Sequence, residues 1–140
     1  MGKAVNNTIC HCLKMRRSAE NVIRFYDSYL LPLGITVRQY SFLNAIMHHD
    51  SCTVTELAKL TLLDRSTLSR NIKPLIKRGF IEDIKNIGSR NSILTLSEEG
   101  KILCNKATLL WEEAQKEYEE ILGKEKLEAL EDALEVLQEL

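Results

Sequence analysis

Several features that would mark a specialised class of protein are scarce or missing in this sequence. Proline and glycine number only two and six in 140 residues, and there is no internal repeat, low-complexity tract or long linker. The most apolar stretch, 29–35, is interrupted by Pro32 and Gly34 and is far too short to span a membrane. The start lacks the apolar run of a secretory signal. With an apolar fraction of 44%, we expect one globular domain with helical extensions.

The four cysteines do not have the spacing of a disulfide framework or of a metal site. Cys10, Cys12, Cys52 and Cys104 are irregularly spaced in a chain that can form its own core. This spacing fits reduced thiols in a cytoplasm better than a disulfide framework. Residues two apart on a helix point about 200° apart, so Cys10 and Cys12 cannot bind one ion from an intact helix. We therefore predict a cytoplasmic protein with no metal and no cofactor.

The net charge of −1 conceals an uneven distribution along the chain. With Lys and Arg counted against Asp and Glu, the charge is +3 for residues 1–52, +4 for 53–91 and −8 for 97–140. A basic centre beside an acidic tail suggests that one face meets a polyanion while another stays away from it. A solvated surface with unevenly spaced charges is the alternative interpretation.

Hydrophobic periodicity predicts four helices, then a β-hairpin, then two more helices. The first helix is expected over about 8–31 and is stopped by Pro32. Capping boxes mark the starts of the second and third helices, Thr36 with Gln39 and Thr53 with Glu56.

The fourth helix is expected between an aspartate cap and a glycine stop. Asp64 can accept hydrogen bonds from the early amides, and Gly79 can adopt the left-handed conformation that ends a helix. Pro74 lies inside this helix and should bend it. After Gly79 the apolar period changes to two, which predicts strands over 80–85 and 92–96 around a polar turn.

Two further helices complete the chain. Ser97 begins the fifth, which should continue to about residue 122, and Gly123 breaks it. The last helix has an apolar stripe too narrow for a buried core element, which is typical of a helix that pairs with a partner helix.

The third and fourth helices form a helix-turn-helix candidate, in which the second helix would enter the major groove of DNA. A helical wheel places Leu68, Ile72 and Leu75 on one side of the fourth helix and polar residues on the other. Small hydroxyl residues allow close approach to DNA, and long cations can bond phosphates or guanine edges. An arginine at the hairpin tip suits the negative potential of a minor groove. The predicted DNA-binding residues are Arg65, Ser66, Thr67, Ser69, Arg70, Lys73, Lys77 and Arg90.

These residues resemble the MarR family of bacterial and archaeal transcription regulators. The resemblance is carried by Ser-Thr-Leu-Ser-Arg at 66–70, Lys-Pro-Leu at 73–75, Gly-Phe-Ile at 79–81 and Leu-Thr-Leu-Ser-Glu-Glu-Gly at 94–100. It covers nearly the whole chain, including the order of six helices and one wing. This chain departs from the family at the wing tip. The family often has the motif Asp-X-Arg there, and this chain has Gly-Ser-Arg. The missing aspartate removes a partner that would orient the arginine.

Together with the element order, the resemblance implies a mainly α fold with a small β-hairpin. A winged helix-turn-helix domain over 36–96 would lie between an N-terminal helix of the dimerisation region, 1–35, and C-terminal dimerisation helices, 97–140. The resemblance implies a homodimer that binds double-stranded DNA at a near-palindromic operator, as a repressor that responds to a small-molecule inducer. The predicted dimerisation residues are Ile9, Leu13, Leu127, Leu130, Leu134 and Leu137.

A thiol-based, peroxide-sensing repressor is one alternative. Cys12 precedes Tyr26 and Tyr40 at a spacing that resembles the hydroperoxide-sensing branch of the family, and Tyr26 could be a hydrogen-bonding partner of its thiolate. That branch has two further tyrosines, but this chain has Arg16 and Val37 at the corresponding positions. We favour a buried, small apolar thiol at Cys12.

A winged-helix protein-interaction module without specific DNA binding is the other alternative. Its acidic tail would dock a partner, and the basic helix would be incidental. We expect no enzyme, because no nucleophile with a base, phosphate-binding loop or pair of catalytic carboxylates stands out, and Glu119 with Glu120 is typical of a solvated helix face.

Overall fold

The computed structural model describes residues 10–84 and 92–140, and along these two ranges it is mainly helical with a small antiparallel sheet. The elements in chain order are α1 His11–Leu30, a 3-10 turn Leu31–Leu33, α2 Val37–His48, β1 Cys52–Thr53, α3 Val54–Thr61, α4 Arg65–Lys77, β2 Ile81–Asp83, β3 Ile93–Leu96 and α5 Glu98–Gln138. This arrangement confirms the predicted fold class of a winged helix-turn-helix with flanking helices.

The starts of α2 and α3 lie where the local sequence predicts them. Thr36 and Thr53 each accept a hydrogen bond from the amide three residues on, and the side chains of Gln39 and Glu56 accept one from the cap residue's own amide. These reciprocal bonds satisfy amides that have no partner inside the helix. The predicted start of the first helix, Thr8, lies outside the described residues.

The end of α4 is built by backbone hydrogen bonds around a left-handed glycine. The helix continues through Pro74, as predicted, and Gly79 follows with φ of +82°. The amide of Gly79 donates to the Ile76 carbonyl, and the amide of Phe80 donates to the Leu75 carbonyl, both at 3.0 Å. The chain therefore leaves α4 with the carbonyls of Leu75 and Ile76 satisfied and turns directly into β2.

The sheet has three strands in the order β1-β3-β2, all antiparallel. Both predicted hairpin strands are present in shorter form, and the predicted turn over 86–91 lies outside the described residues. The strand β1 was not predicted, because two residues are too few to show a period of two. It exists because Cys52 and Thr53 pair with Leu94 and Ile93 of β3, some forty positions further along the chain.

The core is centred on α2, whose Phe42, Leu43 and Ile46 are fully buried. Burial of such side chains stabilises the fold by about 1.5–3 kcal/mol each relative to exposure. Every neighbouring element contributes to the same cluster, through Leu57 of α3, Leu68, Ile72 and Leu75 of α4, Ile81, Leu94 and Leu96 of the sheet, and Leu103, Cys104 and Ala107 of α5. The helix-turn-helix, the sheet and the first half of α5 therefore share one core.

The helix α5 is kinked where the sequence predicts a break. Gly123 has φ of +76° and ψ of 162°, values outside the helical region, and helical structure resumes after it. The predicted fifth and sixth helices are thus the two parts of α5. Helix α1 packs against the first part, where the rings of Tyr26 and Tyr118 lie 6.0 Å apart. None of the helices described is both long enough and apolar enough to cross a membrane.

Candidate nucleic-acid interface

The helix α4 has one buried face and one exposed, cationic face. Leu68, Ile72 and Leu75 are buried and fix the orientation of the helix. The predicted DNA-binding residues on the opposite face are exposed, except for Thr67, which is half-buried. Four of them, which we call the cationic stripe, are Arg65, Arg70, Lys73 and Lys77. The wheel assignment made from the sequence therefore matches the placement of these side chains.

The cations of the stripe form no ion pair among the described residues. The ion pairs found there join Arg16 to Glu20 at 3.3 Å and Lys101 to Glu98 at 3.5 Å. Arg70 makes only a long contact, 3.4 Å from its Nη2 to the Thr67 hydroxyl. Four positive charges thus face solvent along one side of α4, an arrangement suited to a polyanion.

The start of α4 is organised by the Asp64 carboxylate. It accepts hydrogen bonds from the Ser66 hydroxyl at 2.7 Å, from the Thr67 amide at 2.8 Å and from the Thr67 hydroxyl at 3.0 Å. These bonds, with the Ser66 hydroxyl contributing most, lower the pKa of Asp64 to about 2. The carboxylate therefore stays ionised at neutral pH, caps the helix and fixes both hydroxyl groups at the edge of the exposed face.

The far end of α4 is held by a residue that sequence analysis did not single out. Arg78 follows the helix directly, and its Nη1 donates to the Gly34 carbonyl at 2.8 Å. Its Nη2 lies 3.4 Å from the Leu33 carbonyl, and its guanidinium lies 4.9 Å from the centre of the Phe80 ring. The two carbonyl partners are more than forty residues away, so no local pattern in the sequence could reveal these contacts.

An open cavity of about 450 Å³ lies between α2, the end of α3 and α5. Tyr40 and Trp111 line it with ring centres 5.9 Å apart, and Asn44 and Thr61 add polar groups. The Tyr40 hydroxyl is 2.9 Å from the Thr108 hydroxyl, and burial is the main reason that its pKa is raised. The lining therefore combines aromatic surface with uncharged polar groups.

The predicted dimerisation residues leave apolar surface open on this chain. Leu13 is 58% exposed, and Leu134 and Leu137 are 36% and 42% exposed. Leu127 and Leu130 are half-buried, and Ile9 lies outside the described residues. Val22 and Ile23 on α1 add to this surface, because the first part of α1 is exposed on all sides. Two long helices with uncovered apolar side chains are typical of an unassembled interface.

The predicted redox position differs from the favoured interpretation of a buried thiol. Cys12 is exposed on α1. Tyr26 lies 14 positions further along the same helix, about 20 Å away at 1.5 Å per residue, so the two cannot meet within one protomer. The Tyr26 hydroxyl instead donates to Gln115 of α5, and Arg16 pairs with Glu20. The tip arginine, Arg90, lies outside the described residues, so the structure places neither the wing tip nor its contact.

The fold and the exposed face of α4 define the class of the protein, a winged helix-turn-helix protein with long flanking helices. A family model described as the MarR family matches residues 33–89, which contain α2, α3, α4 and β2. This match, over 57 of the 140 residues, agrees with the resemblance to the MarR family that the motifs show.

The chain is also similar to curated proteins and to solved structures. The multiple antibiotic resistance protein MarR of Salmonella typhimurium is 32% identical over 82 residues, 58% of this chain and 57% of that protein. The match thus spans little more than half of that relative's length. A transcriptional regulator of M. tuberculosis, MosR, in complex with DNA is 27% identical with a TM-score of 0.72, covering 92% of this chain and 98% of that one. A variant of E. coli MarR complexed with operator DNA has a TM-score of 0.80 at 23% identity, covering 97% and 99%.

Proposed function

We propose that this protein is a sequence-specific, DNA-binding transcription regulator that acts as a homodimer. The observation that carries the proposal is the cationic stripe on the exposed face of the second helix of a helix-turn-helix, whose four cations form no ion pair within 10–84 and 92–140. A helix of about 10–12 Å in diameter fits the major groove, which is about 12 Å wide. The solved structures of two relatives bound to DNA support the same use of this fold.

Two copies of the chain would present two such helices to one duplex. The uncovered leucines on α1 and on the second part of α5 supply the surface for pairing. A two-fold dimer places its recognition helices in grooves about one helical turn apart, so the operator should be close to a palindrome. We place this regulator in the cytoplasm, which suits its four free cysteines.

Salt dependence tests the proposal against the protein-interaction module. A dimer has eight cations in its two stripes, so the logarithm of the binding constant should fall with a slope of up to about −7 against the logarithm of salt concentration. The ligand would be duplexes selected from random sequence by the wild-type protein. Recovery of no symmetric site, or a flat salt response, would favour the interaction module.

The substitution Arg70→Ala tests the stripe itself. Its side chain is exposed, so the variant should keep its thermal stability but bind the selected duplex at least about tenfold more weakly. Lys126→Ala is the matched control, since it removes the same charge from the exposed second part of α5. Equal affinities of the two variants would contradict the assignment of α4 as the recognition helix.

We also propose that the regulator is a repressor released by a small molecule. The cavity lined by Tyr40 and Trp111 supports this part of the proposal, because aromatic walls with a few uncharged polar groups suit a small aromatic ligand. Compounds that release the selected duplex should quench the fluorescence of Trp111, the only tryptophan of the chain. Release without any change in this fluorescence would place the ligand elsewhere.

A further inference from the structure

Arg78 belongs to the basic sequence at the end of α4, but its surroundings differ from those of the cationic stripe. Both Arg78 and Lys77, one position earlier, are exposed, and Lys77 has no ion pair among the residues described. Arg78 donates from Nη1 to the Gly34 carbonyl at 2.8 Å, and its Nη2 makes a long contact of 3.4 Å with the Leu33 carbonyl. One face of its guanidinium also lies against the Phe80 ring, 4.9 Å from the ring centre. The difference between the two neighbouring cations is therefore that Arg78 is bound to other parts of the protein.

The carbonyl groups that Arg78 binds belong to the connection between α1 and α2. Gly34 ends the 3-10 turn that follows α1 and has φ of +68°. Its own amide donates to the Leu31 carbonyl at 2.9 Å, which closes the turn directly after the end of α1. A planar guanidinium suits two neighbouring carbonyl oxygens, and a lysine ammonium does not offer the same pair of fixed donors. The contact thus ties the end of α4 to the end of α1.

The other side of the same chain segment is held by α5. The Ser97 hydroxyl donates to the Gly79 carbonyl at 2.5 Å, and the Ser97 amide donates to the Phe80 carbonyl at 3.1 Å. The end of α4 is therefore fixed between the two helices that carry the proposed dimer interface. The bonds from Ser97 act as a pivot for the end of α4, and the bond from Arg78 limits how far α4 can tilt about this pivot relative to α1.

We infer that Arg78 is a positioning residue: it makes no contact with DNA and holds α4 at the angle that sets the separation of the two half-sites. This inference rests on the proposed function. The helix α4 has 13 residues and is about 20 Å long. A tilt of about 10° at its end would move its start by about 3.5 Å, close to the 3.4 Å rise of one base pair. Loss of the Arg78 contact therefore relaxes the preference for one half-site spacing.

The first test compares Arg78→Ala with Lys77→Ala, its neighbour, on the duplex selected by the wild-type protein. Loss of a phosphate contact from both subunits lowers the salt slope by about 2. Lys77→Ala should show that reduction. Arg78→Ala should bind about tenfold more weakly, the scale set by one lost hydrogen bond from a charged group, with the wild-type salt slope. Thermal melting of each free protein checks that the variants are folded.

The second test varies the spacing of the half-sites by one base pair in either direction. The wild type should lose about a hundredfold in affinity on either change, as for a mismatch at two or more positions. The affinity of Arg78→Ala should fall by tenfold or less on the same changes of spacing. Arg78→Lys retains the positive charge without the planar pair of donors, so it should behave like Arg78→Ala in both tests.

The outcomes separate this inference from the proposed function. A wild-type protein without salt-dependent duplex binding overturns the proposed function and the inference with it. In a second outcome, the wild type binds as proposed while the salt slope of Arg78→Ala is reduced like that of Lys77→Ala. That result overturns the inference alone. Wild-type binding by Arg78→Lys also overturns the inference alone, because a positive charge without the planar pair of donors would then be enough for binding. An unchanged spacing preference in Arg78→Ala also contradicts it.

Discussion

Replacement of Gly100 by alanine should destabilise the protein, although alanine is the better helix former by about 1 kcal/mol. Gly100 lies in the first turn of α5, and a Cβ atom there would be 2.0 Å from the Phe80 carbonyl oxygen and 2.9 Å from the carbonyl carbon. Carbon–oxygen contacts are normally about 3.3–3.6 Å. The first turn of α5 would have to move by more than about 1 Å from a segment to which Ser97 binds it.

We expect a net loss of about 2 kcal/mol from this substitution. Overpacking of a close contact costs about 1–3 kcal/mol, and more where the obstacle is backbone. For a chain of this size such a loss lowers the melting temperature by about 8 °C. Circular dichroism melts at one fixed protein concentration would measure it, since assembly makes the midpoint depend on concentration.

Gly79→Ala is the matched control for Gly100→Ala. Gly79 has φ of +82°, and the nearest atom to a Cβ there is the Glu99 Oε2 at 3.8 Å. Only the left-handed backbone opposes that substitution, at about 1–2 kcal/mol. A Gly100→Ala protein that melts at or above the wild-type temperature would refute the close approach of α5 to the Phe80 carbonyl.

Three further predictions concern other parts of the molecule. Leu134→Asp should convert the proposed dimer to a monomer, because it introduces a charge into the apolar surface of α5; a dimer that persists in sedimentation equilibrium would place the interface elsewhere. Leu62→Gly should raise the melting temperature by roughly 2–4 °C, since Leu62 has φ of +57° and is 90% exposed; a lower temperature would show that its side chain has a packing role. Asp64 has a pKa below its unfolded value, so its stabilising contribution is present above about pH 4 and is lost as the pH falls towards 2; an Asp64→Ala protein should lose less stability than the wild type over that interval in urea titrations.

Features set by neighbouring residues could be predicted from the sequence. The capping boxes at Thr36 and Thr53, the Asp64 cap and the break at Gly123 each depend on a few consecutive positions. The exposed face of α4 was predictable for the same reason, because the spacing of Leu68 and its apolar neighbours determines which side is buried. The DNA contacts of these residues remain predictions.

Features that depend on distant parts of the chain could not be predicted. The strand β1 takes its conformation from β3, and the donors of Arg78 take their partners from the turn after α1. The close approach at Gly100 depends on the path of the chain around Phe80. A sequence pattern reports which side chains suit an element, but it does not report which backbone atoms from elsewhere come within contact distance.

The short strand β1 has a mechanical consequence for the wing. A two-stranded hairpin alone is marginally stable in water, but β1 adds a third strand and leaves β3 with hydrogen-bonded neighbours on both sides. Because Thr53 is both the last residue of β1 and the cap of α3, the base of the wing and the first helix of the helix-turn-helix are joined within one residue. A rotation of α3 would therefore move Thr53 and disturb its pairing with Ile93 at the base of the wing.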